Sequence, residues 1–173
     1  MSQVVDKRMS TKRKKLNREL LNAVVMRDIK KAQSLLEQGA DVNARDTDHY
    51  ETSLILATRF VEVAMVQILL DAKADVDARD DWGRTALFYA SVKSEVFGRL
   101  IKAGADIHAR DEQGDTILSR KVSESPSLNE IEELLQLGID PRVRNADEQT
   151  ALDKAESLGL ENIVERLRAA TAV

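Results

Sequence analysis

LLEQGADVNARD at residues 35–46 returns as LLDAKADVDARD at 69–80, LIKAGADIHARD at 100–111 and LLQLGIDPRVRN at 134–145. The leading leucines Leu35, Leu69, Leu100 and Leu134 are 34, 31 and 34 residues apart. A fixed period in that range means a stack of like units, because one such unit cannot bury its apolar face alone. A second block trails each of the first: ETSLILA (51–57), RTALFYA (84–90), DTILSRK (115–121) and QTALDKA (149–155), with Thr52, Thr85, Thr116 and Thr150 in register.

Each feature of the repeat has a physical reading. Thr followed two places on by Leu54, Leu87, Leu118 or Leu152 fits a helix start: the hydroxyl accepts an orphan N–H while the leucine enters the core. Ala57, Ala90 and Ala155 are small enough to let neighbouring helices approach. A second helix follows, with Val66, Leu69 and Leu70 at helical spacing. Gly39, Gly104 and Gly138 come just after it, where a left-handed backbone closes a helix at little cost. The A-D-V-N-A-R-D segment is then extended and turns back. One unit is helix, turn, helix and an outstretched finger.

With these blocks the chain resembles the ankyrin repeat family, whose unit of about 33 residues carries a T-P-L-H-x-A signature. GADVNARD at 39–46 and GRTALFYA at 83–90 are the most specific matches. The resemblance implies an all-α ankyrin repeat solenoid of stacked helix-turn-helix units with β-hairpin or loop fingers, about five repeats including caps, in a small stand-alone ankyrin repeat protein. We divide it into a capping repeat at 13–45, repeats at 46–79, 80–110 and 111–144, and a terminal repeat at 145–173. Residues 1–12 precede it as a basic arm, expected to be disordered.

The chain departs from the family pattern in ways that carry expectations. Ser53, Ala86, Ile117 and Ala151 stand where the signature has Pro, and Ile55, Phe88, Ser119 and Asp153 where it has His. The Thr–His hydrogen bond is therefore absent from every repeat, and the proline's preset helical angle is lost. The third unit is short between Tyr89 and Gly104, which predicts a tightened inter-helix turn. In the fourth, Lys121 takes the small-residue slot. The simplest accommodation is a shortened, shifted first helix; the alternative is a cation that snorkels outward. Ser127 and Glu130 are spaced for a capping box, with Pro126 ending the segment before it.

Composition narrows the function. The 173 residues contain no Cys, which removes disulfides, thiolate catalysis and Cys-based metal sites, and leave His49 and His108 as the two imidazoles. No phosphate-cradling glycine loop, nucleophile elbow or zincin motif is present. Asp46 and Asp48 alternate as in a calcium loop but lack its glycine and its distant bidentate Glu. No catalytic residue, metal or cofactor is expected. The stretch from Ser53 to Ala72 is broken by Arg59, Glu62 and Gln67, so no membrane span is expected. A cytoplasmic, monomeric protein is the expectation, with the nucleus as the alternative in a eukaryote.

Charge is divided unevenly. Residues 1–18 hold seven cations against Asp6 alone, a charge of +6, while the remainder has 19 cations against 29 acids, a charge of −10. The basic arm suggests nucleic-acid or anionic-surface association as an alternative function, but no aromatic residue precedes Tyr50, so the arm offers no base-stacking surface.

The leading function is a non-catalytic interaction module, an adaptor, inhibitor or assembly factor. The resemblance implies that its partner protein sits on the concave face of finger tips and first helices. Acidic tips favour a basic partner segment. Aromatic and Arg residues, enriched at binding hot spots, fall among them. The candidate partner-binding set is Asp48, Tyr50, Glu51, Arg59, Phe60, Asp81, Trp82, Arg84, Glu112 and Asp115. For Trp82 a competing role is to fold back on the neighbouring finger.

Overall fold

The computed structural model describes the backbone of residues 2–124 and 127–172, with side chains from Thr11 onward. Ten helices occupy the described residues: α1 (Ser2–Val25), α2 (Ile29–Glu37), α3 (Ser53–Arg59), α4 (Val63–Asp71), α5 (Ala86–Tyr89), α6 (Glu95–Lys102), α7 (Ile117–Glu124), α8 (Leu128–Gln136), α9 (Ala151–Ser157) and α10 (Glu161–Thr171). First helices pack on first helices in the series α1, α3, α5, α7, α9, and second helices pair as α2 with α4, α4 with α6, and α8 with α10. The result is the ankyrin solenoid.

Repetition in sequence becomes repetition in contact. Leu20, Leu54, Leu87 and Leu118 of the first helices and Leu35, Leu69, Leu100 and Leu134 of the second fill one continuous apolar seam. Every second helix from α2 to α8 ends in the same double bond. The N–H of Gly39, Lys73, Gly104 and Gly138 meets the carbonyl three back, and the next N–H meets the carbonyl five back, as in Ala40 to Leu35 at 3.0 Å. That is the Schellman closure, with φ of +92° at Gly39 and Gly104. Lys73 performs the same turn at φ +66° without a glycine's freedom.

The fingers are built by their acidic heads. Asp46, Asp80, Asp111 and Asn145 each accept two backbone N–H groups through Oδ1, for example those of Trp82 and Arg84 on Asp80, both at 2.9 Å. The arginine one place earlier ties finger to finger: Arg45 donates to the carbonyl of Arg79, Arg79 to that of Arg110, and Arg110 to that of Arg144. Tips are joined by Asp81 N–H to His49 O, Glu112 N–H to Trp82 O and Ala146 N–H to Gln113 O, at 2.9 to 3.1 Å. Antiparallel pairing reduces to single bridges at Arg45–Thr52 and Arg110–Thr116.

Several expectations need correction. The short third unit does not tighten its turn. Its first helix α5 is cut to 4 residues, where α3 has 7, and Ala90 leaves it with an extended backbone. The reason lies beyond it: Val92 is buried, and its N–H is held 3.1 Å from Glu130 Oε1 of α8. Glu130 is therefore spent across repeats, and the Ser127 capping box does not form. Pro126 lies outside the described residues. Helix α7 is not shortened either; it runs 8 residues, because Val122 takes the core position and Lys121 is left half-buried. Without the Thr–His pair, the threonine still caps its helix in three units: Ile55 N–H reaches Thr52 Oγ1, Ser119 N–H reaches Thr116 Oγ1, and Asp153 closes a full capping box with Thr150. At the start of the chain, α1 takes in Ser2–Val25. That stretch contains neither Gly nor Pro to break it.

Candidate functional site

Finger tips and first helices form one face, and its chemistry changes along its length. At its N-terminal end sit the aromatics. Tyr50 occupies the finger position that Gly83 and Gly114 hold in the next two units, with φ +58°, and is 55% exposed. A non-glycine side chain in the left-handed region is disfavoured. Arg45 lies over the Tyr50 ring at 4.5 Å and donates to its carbonyl at 2.7 Å, which holds the residue there. On the adjoining tip Trp82 is 37% exposed, its ring 4.8 Å from that of His49. Trp82 thus does lean on the neighbouring finger while still offering a surface.

Behind the tips runs a ladder of polar contacts along the first helices. Arg59 Nη1 meets Glu51 Oε1 at 2.5 Å and lies 5.5 Å from the Tyr89 ring. Tyr89 donates its hydroxyl to Asp80 Oδ2 at 2.5 Å. Arg84 stands 5.9 Å from Tyr89 and 6.0 Å from Trp82, and approaches Asp111 and Glu124 at 3.8 and 3.6 Å. Arg120 pairs with Asp111 and Asp115, and Lys154 reaches Asp115 at 2.6 Å, where Asn145 Nδ2 also donates at 3.0 Å.

Burial and partners shift these groups in opposite directions. Glu51, 1% exposed, is pushed above the usual carboxylate range by burial, which outweighs Arg59. Tyr89 is held well above the ordinary phenol value by burial and then by the Asp80 carboxylate, so it remains a donor. Asp115 is also raised by burial, but hydrogen bonds from Lys154 and Asn145 and the charges of Lys154 and Arg120 together take it below the usual range.

The sequence-derived candidates therefore separate. Tyr50, Trp82 and Arg84 gather on two adjacent fingers. Asp48, Asp81 and Glu112 are exposed on successive tips, continued by Asp147, and none has an ion-pair partner among the described residues. Glu51 and Asp115 are internal and already paired, and Arg59 is tied to Glu51. Phe60 belongs elsewhere: it caps the far end of α3, half-buried beneath Arg27 at 5.6 Å. Sequence reasoning passed over His49, Tyr89, Arg120 and Lys154. The tyrosine had a usable signal, a phenol nine residues after a finger-head Asp; Lys154 had none, since its partner is 39 residues away. Among the described residues no group of three His, Asp or Glu could hold a metal ion, and no helix is long and apolar enough to cross a membrane.

A repeat unit of two helices and a finger, closed by the same turn four times, is the architecture of a modular binding scaffold. The family model for ankyrin repeats (3 copies) matches residues 20–111, just over half of the chain, and the chain belongs to that family. It is similar to the Neurogenic locus Notch protein of Drosophila melanogaster, 45% identical over 64 residues, which is 37% of this chain and 2% of that protein. It is likewise similar to the Ankyrin repeat and SOCS box protein 6 of Homo sapiens, 45% identical over 62 residues, or 35% of this chain and 15% of that one. Serine/threonine-protein kinase 12 of Arabidopsis thaliana is 39% identical over 69 residues, again 15% of its length. The chain thus spans only a small part of each of these relatives. Ankyrin repeats are general protein–protein interaction modules.

Proposed function

We propose that the protein is a non-catalytic binding module, an adaptor, inhibitor or assembly factor, that receives a partner protein on the face of finger tips and first helices. Tyr50, Trp82 and Arg84 anchor the partner, and Asp48, Asp81, Glu112 and Asp147 draw in a basic segment of it. The observation that carries this is Tyr50: a large ring kept exposed at a strained finger position that glycine fills in the next two units. Strain at a special backbone angle persists where the surroundings enforce it, and such positions cluster at functional sites. The protein acts as a monomer in the cytoplasm and uses no cofactor.

The test compares proteins retained from a lysate by the immobilised chain with those retained by Tyr50→Gly and Trp82→Ala. Tyr50→Gly removes the ring and relaxes the backbone together. A partner that is lost from both variants, while their melting midpoints stay within a few degrees or rise, supports the assignment. A retained set unchanged by both substitutions refutes it.

A further inference from the structure

Between α1 and the first finger lies a groove of about 530 Å³ that none of the candidate anchors accounts for. One face of α1 forms a wall with Lys14, Arg18, Leu21 and Val25, and Leu56 of α3 adds to its apolar part. The finger forms the other wall from Ala44 to Asp48. Its size lies within the range of pockets that take a few side chains of a ligand. Val25 is the exposed apolar residue here, at 43%, while Leu21 and Leu56 beside it are core residues, 9% and 8% exposed, that show only an edge to the groove.

The charges of the groove are unequal. Lys14 and Arg18, one helical turn apart, have no ion-pair or hydrogen-bond partner among the described residues, whereas Lys15 pairs with Glu19 and Arg13 with Asp41. On the finger, Asp46 is already engaged by the amides of His49 and Glu51. Asp48 is the one finger carboxylate of the groove free of such bonds to backbone. Two cations unpaired among the described residues, beside a partly apolar floor that also includes Asn17 and Asn22, call for an occupant with carboxylates beside aliphatic side chains. A nucleic-acid backbone would satisfy the cations but would leave the Leu21, Val25 and Leu56 surface uncovered, and no aromatic ring lines the groove to stack a base.

We infer that this groove binds an acidic, leucine-bearing peptide segment of a partner protein, its carboxylates on Lys14 and Arg18 and its aliphatic side chains on Leu21, Val25 and Leu56. The inference rests on the reading above that this side of the molecule receives protein; the groove shares Asp48 with that reading but relies on α1 and on the opposite charge.

The experiment titrates the full chain with a blocked, fluorescein-labelled peptide Asp-Glu-Leu-Leu-Glu-Asp, followed by anisotropy at low salt and by amide shifts of the isotope-labelled protein. Binding with shifts confined to 14–25, 44–48 and the Leu56 region is expected. It should weaken about tenfold or more in the Lys14→Glu/Arg18→Glu double variant, as lost steering and pairing would give, and tighten in Asp48→Asn. Both substitutions are on exposed side chains and leave the core intact. The amide peptide Asn-Gln-Leu-Leu-Gln-Asn should bind much more weakly.

Four results would overturn the inference: affinity weaker than about 1 mM, shifts centred on the tips at 81–84 and 112–115, equal affinity for the amide peptide, or tighter binding of a single-stranded oligothymidylate that displaces the peptide. The partner reading fails separately, on Tyr50→Gly and Trp82→Ala, which should leave binding of this peptide unchanged.

Discussion

The two halves of the array solve the same repeat with different materials. The half up to α6 has, beside Gly39 and Gly83, five non-glycine residues at left-handed turn positions, Arg27, Tyr50, Val61, Lys73 and Lys93, and exposes two aromatic rings, Tyr50 and Trp82. The half from Gly104 onward makes its corresponding turns with Gly104, Gly114, Gly138 and Gly159, Glu148 being the exception, and ties its first helices with buried ion pairs around Asp111 and Asp115. Unstrained turns and satisfied buried charges contribute rigidity, whereas strained turns and exposed rings cost stability and offer contact. In the proposed reading, the aromatic anchors and the buried ion-pair network are therefore placed toward opposite ends of the stack.

Breaking the C-terminal network should have the largest effect. Asp115→Asn leaves Lys154 and Arg120, whose side chains are 13% and 16% exposed, without their shared carboxylate. Removing one member of a buried pair costs about 3 to 5 kcal/mol, and urea unfolding should show a loss near the lower figure. Glu51→Gln in the other half should cost far less, because Arg59 is 45% exposed and can turn to water. A loss at Glu51 equal to that at Asp115 would erase the distinction between the halves.

Titration tests the same contrast with opposite signs. The Asp115 carboxyl is held below its ordinary value of 3.8, so the stability it contributes is complete above that pH and is lost as pH falls through its lowered folded value. Glu51 is held above its ordinary value of 4.5. Its folded form takes up a proton before the unfolded chain does, so stability rises as pH falls from above that raised value toward 4.5. Denaturation midpoints across this range should rise slightly on acidification and then drop. Glu51→Gln should remove the rise and Asp115→Asn the part of the drop that belongs to Asp115.

Much of this was legible in the sequence, and the parts that were not share a cause. The leucine and glycine registers located the helices and their closing turns, because both depend on residues within one turn of the chain. Finger-head Asp residues were readable as turn formers for the same reason. What failed required knowing which residues of separate repeats face each other: Glu130 against Val92, Lys154 against Asp115, and the position at which the third unit gives up its missing residues. A short sequence between Tyr89 and Gly104 fixes the loss but not whether helix or turn absorbs it. The candidate site was legible in its exposed tip residues and illegible in Glu51 and Asp115, which are buried and paired, Asp115 with Asn145 and Lys154 of the following unit.

The threonine anchors give a test of intermediate size. Thr150 accepts from Asp153 N–H at 3.1 Å and donates to its carboxylate at 2.7 Å, whereas the Thr85 hydroxyl is buried with no partner among the described residues, Phe88 standing where Asp153 stands. Thr150→Val should cost about 1 kcal/mol, the usual worth of a lost N-cap. Thr85→Val should be neutral or stabilising, since it exchanges an unsatisfied buried hydroxyl for a methyl of the same shape. Equal losses at the two positions would mean that the Thr85 hydroxyl finds a partner in solution.

The smallest effect concerns the strained turns. Val61 is 59% exposed at φ +56°, between α3 and α4, and Gly159 makes the equivalent turn between α9 and α10. For a β-branched residue the left-handed conformation costs roughly 1 to 2 kcal/mol. Glycine removes that strain but gives back about 0.4 to 1 kcal/mol through the greater freedom of the unfolded chain. Val61→Gly should therefore raise the unfolding free energy by roughly 0 to 1.6 kcal/mol, a shift of a few degrees in melting midpoint. Gly159→Val should lower it by a similar amount, because there the strain is introduced and the entropy gain offsets only part of it. Were Val61→Gly to destabilise, the ring of Phe60 beside it would be the reason, its packing under Arg27 depending on the neighbouring side chain.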